Sequence, residues 1–384
     1  MKIGIDARMY GPEQAGLGRY VQELVLGLVK FDTENEHVVF MRTTHECDFT
    51  NNTNIQKVVA DIPWYSWQEQ LKFSKIIKKE KIDLMHFPHW NVPLFYNKPF
   101  VVTVHDLIMY HYPRHEASTH GVFVYWLKDK LHRLVLRHAV RKAKQIIVTS
   151  EFTKQDLHKT LGVPEEKMMV IYQSPFQISN FKFQISNRAQ NLKDKVVTER
   201  FGVHQKYVLY VGNAYPHKNL EGLLKAWKIF CDKYGEDYQL VLVGKKNFFY
   251  NKIISNLTIW QCSNVIFTDY VTDEELSNLY QNASLYVFPS LYEGFGLPPL
   301  EAMSYGIPVA SSNASCLPEI LGEGALYFDP LNYEQMAEII YKGLTDENIR
   351  IELVENAKQE LKRYSTFEFV KGTMDIYKKA LSLE

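Results

Sequence analysis

The chain has 384 residues, 46% of them hydrophobic and 23% charged, a length that suits two separate cores better than one. Its 44 basic and 44 acidic residues balance, which excludes a global field for holding nucleic acid. Four cysteines (Cys47, Cys231, Cys262, Cys316) stand far apart with no CxxC and no metal-ligand spacing, so free thiols in a reducing compartment are expected and a disulfide framework is not.

In chain order the pattern is strand, loop, helix, repeated. MKIGIDAR opens on a strand at 3–6, without the charged and apolar regions of a secretory signal. Gly11, Gly16 and Gly18 then lead into a helix whose apolar face carries Val21, Leu24, Val25 and Leu28. Strands are expected at 37–41, 57–60, 84–87, 100–106 and 145–150. The second half restarts the grammar with apolar runs at 207–212, 238–244, 264–270 and 284–290, the pattern of strands buried on both faces. Helices are expected near 219–234, 272–282, 298–305 and 332–343. Two doubly wound parallel sheets are the economical architecture, with ligands at the carboxyl ends of strands. Between the halves FQISN occurs twice, at 176–180 and 183–187, too short a unit to be a structural repeat; it reads as a surface insertion. No stretch approaches the roughly 18–20 apolar residues of a membrane span, so a soluble, cytoplasmic protein is expected.

The chemistry concentrates in EGFGLPPLE, Glu293 to Glu301, which follows the run at 284–290 and opens a helix. Glycines let a backbone approach a ligand closely, the helix start favours anionic oxygens, and Pro298 and Pro299 suit a first turn. Two carboxylates flanking such a loop can accept hydrogen bonds from vicinal hydroxyls. A Gly-Pro turn with two surface glutamates fits the same spacing. Metal is not expected: no DxD triplet occurs.

With its neighbours this motif resembles the retaining glycosyltransferases of the two-domain GT-B fold, family 4 or glycosyltransferase group 1. The resemblance covers nearly the whole chain and is carried by GIDARMYGPEQAGLGRYVQEL, YVGNAYPHKNLEGLLKAW and FTDYVTDEELSNLYQNASLYVFPSLYEGFGLPPLEAMSYGIPVASS. Within the family the chain is most similar to bacterial mannosyltransferases of polysaccharide assembly that use GDP-mannose. The resemblance implies two Rossmann-like domains facing across a cleft. Residues 1–172 would form the acceptor-side domain, completed by a helix at 366–384. Residues 173–200 would connect it to a nucleotide-sugar-binding domain at 201–365.

The resemblance also assigns roles. Glu301 would hold the donor ribose, and Glu293 would lie beside the transferred sugar. Backbone around Gly294, Phe295, Gly296 and Leu297 would meet sugar hydroxyls and diphosphate. Lys218 would bind the diphosphate, where a fixed cation assists a leaving anion; a lysine at a helix start is otherwise disfavoured and calls for a nearby anion. His105, at the end of the strand at 100–106, would reach the transferred sugar through its ring or carbonyl. The loop at Gly16 would close over the phosphates, and the backbone of Tyr270 and Val271 would meet the base. Asn213 departs from the family, in which many members carry arginine; asparagine supplies hydrogen bonds but no charge. His217 or Arg19 would be the alternative second cation. No cofactor beyond the nucleotide-sugar substrate is implied. The partners implied are that donor and a saccharide or lipid-linked acceptor.

Residues 122–144 carry seven Lys or Arg against the single acid Asp129, with Phe123, Trp126, Leu127, Leu131, Leu134 and Val135 as an apolar side. The ordinary reading is a helix packed on the core through that side, with a solvated basic face. The alternative is peripheral contact with an anionic membrane at its inner face. Rival functions are an epimerase or phosphorylase on the same fold, a transferase using a UDP- or ADP-sugar, and a non-catalytic nucleotide-sugar-binding protein, which Asn213 keeps in play.

Overall fold

The computed structural model describes residues 1–43, 54–113, 122–174, 200–256 and 264–382. The chain forms two compact units. One takes the described residues of Met1–His111, Ser118–Ser179 and Tyr364–Glu384, and the other takes those of Tyr112–Ala117 and Asn180–Arg363.

The N-terminal unit is built on strands β1 (Lys2–Asp6), β2 (Glu36–Met41), β3 (Ile55–Val59), β4 (Leu84–Phe87), β5 (Phe100–Val104), β6 (Gln145–Val148) and β7 (Met168–Val170), in the order β3-β2-β1-β4-β5-β6-β7. The C-terminal unit uses β8 (Lys206–Val211), β9 (Tyr238–Val243), β10 (Val265–Asp269), β11 (Leu285–Phe288), β12 (Val309–Ser312) and β13 (Ala325–Phe328), ordered β10-β9-β8-β11-β12-β13. Every pairing is parallel. In each sheet the strand order reverses once, between β1 and β4 and between β8 and β11. Loops leaving the carboxyl ends of those strands diverge and leave room for a ligand.

The central strands are apolar on both sides because helices cover both faces. β4, β5 and β11 are buried throughout. One face of the N-terminal sheet is closed by the helices Ala15–Phe31 and Thr366–Ser382. The second buries Phe369, Val370, Thr373, Ile376, Tyr377 and Ala380, one stripe of a 3.6-residue period. Gly27 makes their approach possible, since a Cβ there would stand 2.4 Å from Val370 Cγ2. A polar chain crosses this core. His86 Nδ1 meets the Tyr377 hydroxyl at 2.6 Å, His86 Nε2 meets Thr103 Oγ1 at 2.9 Å, and Thr103 meets the Tyr20 hydroxyl at 3.1 Å. Burial holds the His86 imidazole neutral, its pKa lowered to about 3.

Three strands escape the sequence reading. β7, β12 and β13 have three or four residues each, and β12 ends in Ser311 and Ser312, both fully buried. The helix Val122–Lys142 also turns a different face inward than expected. Leu136, Ala139, Val140 and the following Ala143 are buried, whereas Trp126, Leu127, Leu131 and Leu134 are about half exposed. Small side chains allow the close approach to the sheet, and Leu127, Leu131 and Leu134 are left outside. Cys231 and Cys316 are free thiols; Cys47, Cys262 and both FQISN copies lie outside the described residues. Among the described residues no helix is long and apolar enough to cross a membrane.

Candidate functional site

The switch point of the C-terminal sheet carries the predicted residues. After β8 the chain runs through Gly212 and Asn213 into a tight turn, Pro216–Lys218, then Asn219 in the left-handed region (φ 57°), and the helix Leu220–Tyr234. Three phenols beneath fasten the first part of that loop. Tyr286 donates to the Val211 carbonyl (3.3 Å), Tyr250 to Gly212 (2.8 Å) and Tyr210 to Asn213 (2.8 Å). Their burial pushes all three hydroxyls up in pKa, so they remain donors. Gly244, after β9, lies under the same loop; a Cβ there would stand 2.0 Å from the Gly212 carbonyl oxygen. The glycine of LVLVG is therefore a close-approach position.

Lys218 reaches across the switch point to Glu293, Nζ to Oε1 2.6 Å, with side chains 13% and 9% exposed. The first glutamate of EGFGLPPLE is thus the anion that Lys218 meets in this structure. The Lys218 ammonium also stands 5.4 Å from the centre of the Phe288 ring, at the end of β11. The Glu293 loop is fixed from the next strand: its amide donates to Ser315 Oγ at 3.0 Å, and Ser315 takes φ 56°. Gly296 takes φ 102° as the residue before the helix Leu297–Ser304, a conformation that glycine adopts without strain. Pro298 and Pro299 have no N–H, so the amides this helix start can offer end with Phe295, Gly296 and Leu297. Glu301 lies one turn further, buried, and accepts from the Tyr280 hydroxyl at 3.2 Å. The ring of Tyr280 stacks on Tyr305.

Other predicted residues take more specific places. Asn213 Oδ1 accepts from the Tyr215 amide (3.2 Å), closing the loop on itself and leaving Nδ2 as the group it can offer. His217 does not stand out as a surface cation. It is buried with its ring against Tyr215 and Tyr112, and its carbonyl accepts from the Leu291 amide at 2.7 Å, tying the β8 loop to the β11 loop. At the ends of β9 and β10, Asp269 (φ 66°) accepts from the amides of Lys246 and Tyr270, both 2.8 Å. Tyr270 is 71% exposed and Val271 is buried. Asp269 was not singled out from the sequence, although an Asp at a strand end is a recognised turn-former.

In the N-terminal unit His105 follows β5. Its Nε2 lies 2.9 Å from the Pro88 carbonyl, so Nε2–H donates and Nδ1 is left as an acceptor. Burial lowers its pKa to about 4. Its carbonyl already takes the hydroxyls of Thr149 (3.0 Å) and Thr153 (3.3 Å), so the ring is the part better placed for a ligand. Gly16 and Gly18 fall inside the first turn of the helix Ala15–Phe31, not in the loop before it. The position that excludes a side chain is Gly18, whose Cβ would stand 1.9 Å from the Gly11 carbonyl oxygen; Gly16 is exposed. Arg19, on the same helix, is half-buried.

Sequence reasoning missed a charged cluster at the switch point of this sheet. Arg8, just past β1, is fully buried and donates to Asp6 (2.7 Å) and Glu69 (2.6 Å). Asn91, past β4, donates to both oxygens of Glu69 at 2.8 Å. Burial raises the Glu69 pKa against the pull of Arg8. The only local signal was the charged pair in IDAR at a strand end. Among the described residues no group of three or more His, Cys, Asp or Glu could hold a metal ion.

Comparison with known proteins agrees with this fold. Residues 194–360 match the model of the glycosyl transferases group 1, and residues 15–173 match that of glycosyltransferase family 4. The O-antigen chain mannosyltransferase RfbU of Salmonella typhimurium is 28% identical over 283 residues, 74% of this chain and 71% of that one. The O-antigen chain mannosyltransferase B of Escherichia coli is 27% identical over 303 residues, covering 77% and 74%. Among solved structures, sucrose-phosphate synthase from Thermosynechococcus elongatus superposes with a TM-score of 0.75 at 20% identity, over 100% of both chains. With two doubly wound parallel sheets and both family models matched in turn, the chain belongs to the group 1, family 4 glycosyltransferases and is a glycosyltransferase of the GT-B fold.

Proposed function

We propose that this enzyme transfers mannose from GDP-mannose, with retention of configuration, to a saccharide or lipid-linked acceptor in polysaccharide or glycolipid assembly. The observation that carries the reading is the Lys218–Glu293 pair, a cation and an acid held at a switch point beside a helix start. A diphosphate arriving there meets Lys218, the amides of Phe295 to Leu297, and the Nδ2 of Asn213. Glu301 takes the ribose hydroxyls, Tyr270 and Val271 border the base, and Glu293 accepts from a hydroxyl of the transferred sugar. His105, neutral and with Nδ1 as acceptor, serves a sugar hydroxyl on the acceptor-side unit. The preference for mannose follows the two O-antigen chain mannosyltransferases to which the chain is similar.

In the reaction the bond from the anomeric carbon to the β-phosphate oxygen breaks and the acceptor oxygen bonds to that carbon on the same face. The acceptor proton passes to the departing phosphate oxygen. Charge grows on the diphosphate and on the sugar ring, so Lys218 and Glu293 stabilise opposite partners in one transition state. The test is release of nucleoside diphosphate in EDTA, from GDP-mannose beside UDP-, ADP- and dTDP-sugars, with crude glycolipid acceptors. GDP release from GDP-mannose is expected. Preferential consumption of another nucleotide sugar overturns the donor, and consumption only with added divalent ion overturns the metal-free scheme.

A further inference from the structure

The Arg8 cluster holds a strained aromatic residue. Tyr65, in the loop after β3, takes φ 55°, a left-handed conformation that is rare for a bulky L residue and persists only where its surroundings enforce it. The enforcing group is Glu69. Its Oε2 accepts from the Tyr65 amide at 2.9 Å, while Arg8 and Asn91 hold the same carboxylate from the loops after β1 and β4. Glu69 also opens a single π turn, Glu69–Phe73, a widened helical turn frequent at functional sites. The Tyr65 ring packs against those of His132 (centroids 5.0 Å) and Trp90 (6.0 Å), and the residue is still 51% exposed.

Asp6, Trp64, Pro88, His89 and Asn91 line a small pocket at the carboxyl ends of β1 and β4. Among the described residues neither Trp64 Nε1 nor His89 Nδ1, both buried, has a hydrogen-bond partner. Burial holds the His89 ring neutral, its pKa lowered to about 3. Charge around the pocket is balanced. Arg8 and Arg42, whose guanidinium lies 5.4 Å from the Trp64 ring centre, stand against Asp6 and Glu69, so this cluster offers a phosphate no net attraction. An aromatic face edged by unmet neutral hydrogen-bonding groups suits a pyranose, whose C–H face is apolar and whose rim carries hydroxyls. The pocket is also tied to His105, because the Pro88 carbonyl to which that ring donates belongs to the residue before His89.

We propose that Tyr65 is the stacking residue that selects the acceptor. One pyranose ring of the acceptor lies on Tyr65, and a hydroxyl reaching into the pocket takes up Trp64 Nε1–H and the His89 ring nitrogen. This role rests on the transferase reading and narrows the acceptor to a saccharide terminus in place of a bare lipid phosphate.

The full chain is titrated with the methyl α-glycosides of mannose, glucose, galactose and N-acetylglucosamine and, separately, with decyl phosphate. Binding is followed by saturation-transfer NMR in the absence of donor. At least one glycoside is expected to bind, with saturation strongest on the protons of one ring face. Y65G, in which relief of the left-handed strain offsets lost ring packing, is expected to lose about 3- to 10-fold in affinity for that glycoside. Y65L, which keeps apolar bulk without an aromatic face, is expected to lose a similar amount, and Y65F to lose none. Affinity for GDP, read by calorimetry, is expected to be the same in all three variants, which shows that each is folded. Failure of every glycoside to bind overturns the proposal, as does wild-type affinity in Y65G and Y65L. Saturation of decyl phosphate alone overturns it in favour of a lipid phosphate. Because glycoside binding is read without a nucleotide sugar, a wrong donor in the transferase scheme leaves its outcome intact, and its failure leaves donor turnover intact.

Discussion

Replacing Lys218 with methionine keeps the stem and removes the charge that meets Glu293. The pair is close (2.6 Å) and largely buried, at 13% and 9% exposure. Removing one partner of a buried pair leaves the other charge uncompensated, which costs about 3–5 kcal/mol in a fully buried site. The residual solvent access here brings the expected loss to about 2–3 kcal/mol. E293Q keeps a carbonyl acceptor for the ammonium and is expected to lose less, about 1–2 kcal/mol. Catalysis separates differently. Loss of a fixed donor opposite a developing anion typically lowers kcat by about 10²–10³, so K218M is expected to fall by that much when saturated with donor. Denaturant unfolding of wild type, both singles and the double variant gives the coupling energy; nucleoside diphosphate release gives kcat. A coupling below about 0.5 kcal/mol would mean that the two groups do not interact in solution. Turnover in K218M within threefold of wild type would refute the assignment of Lys218 to the leaving group.

Three further outcomes follow from the same geometry. Y210F removes the donor to the Asn213 carbonyl and is expected to cost about 1–2 kcal/mol and to weaken GDP binding severalfold by calorimetry; unchanged binding would show that the phenol does not hold the loop. G244A places a Cβ against the Gly212 carbonyl, backbone against backbone, and is expected to lower the melting temperature and abolish turnover together, whereas G235A, with open space around it, meets only the strain of its φ of 92° and keeps turnover. His86 is held neutral in the fold with a pKa of about 3, below its ordinary value, so the unfolded chain binds the extra proton. Its contribution is therefore fully present above about pH 6.5 and is lost as pH falls toward 3, at up to ~1.4 kcal/mol per pH unit. H86Q should flatten the dependence of unfolding free energy on pH between about 6.5 and 4.5 by one proton's worth; an unchanged slope would place the proton uptake elsewhere.

The expected strands that the structure contains announced themselves because both faces of each sheet are covered, which forces long apolar runs such as FVVTV and YVLYV. β12 did not, since VASS buries two serines and carries no apolar run. In the site, the residue types of EGFGLPPLE and HKN were legible, but their joining was not: Lys218 and Glu293 are 75 positions apart, and only the strand order brings them together. The three phenols under the β8 loop were equally hidden, because each tyrosine lies in a segment that reads as ordinary core. The cluster of Arg8, Glu69 and Asn91 spans three distant segments of chain. For the helix Val122–Lys142 the composition showed an amphipathic element, but leucines and alanines compete for the core side. Packing distance to the sheet, a tertiary quantity, decided for the alanines.

The helix Thr366–Ser382 lies against the helix Ala15–Phe31 and, through Tyr377, reaches His86. During synthesis the N-terminal unit is made first but lacks one wall until residues 366–382 emerge. Until then Tyr20 and His86 face a gap that Phe369, Ile376 and Tyr377 will later fill. The unit made second holds its own sheet and helices in one continuous stretch, Lys206–Arg363, and has no such wait. Vectorial folding should therefore run against the order of translation, with the C-terminal unit consolidating first. A fragment ending at residue 174 should behave as an incomplete core that binds chaperones, and supplying 364–384 as a separate peptide should restore its compactness.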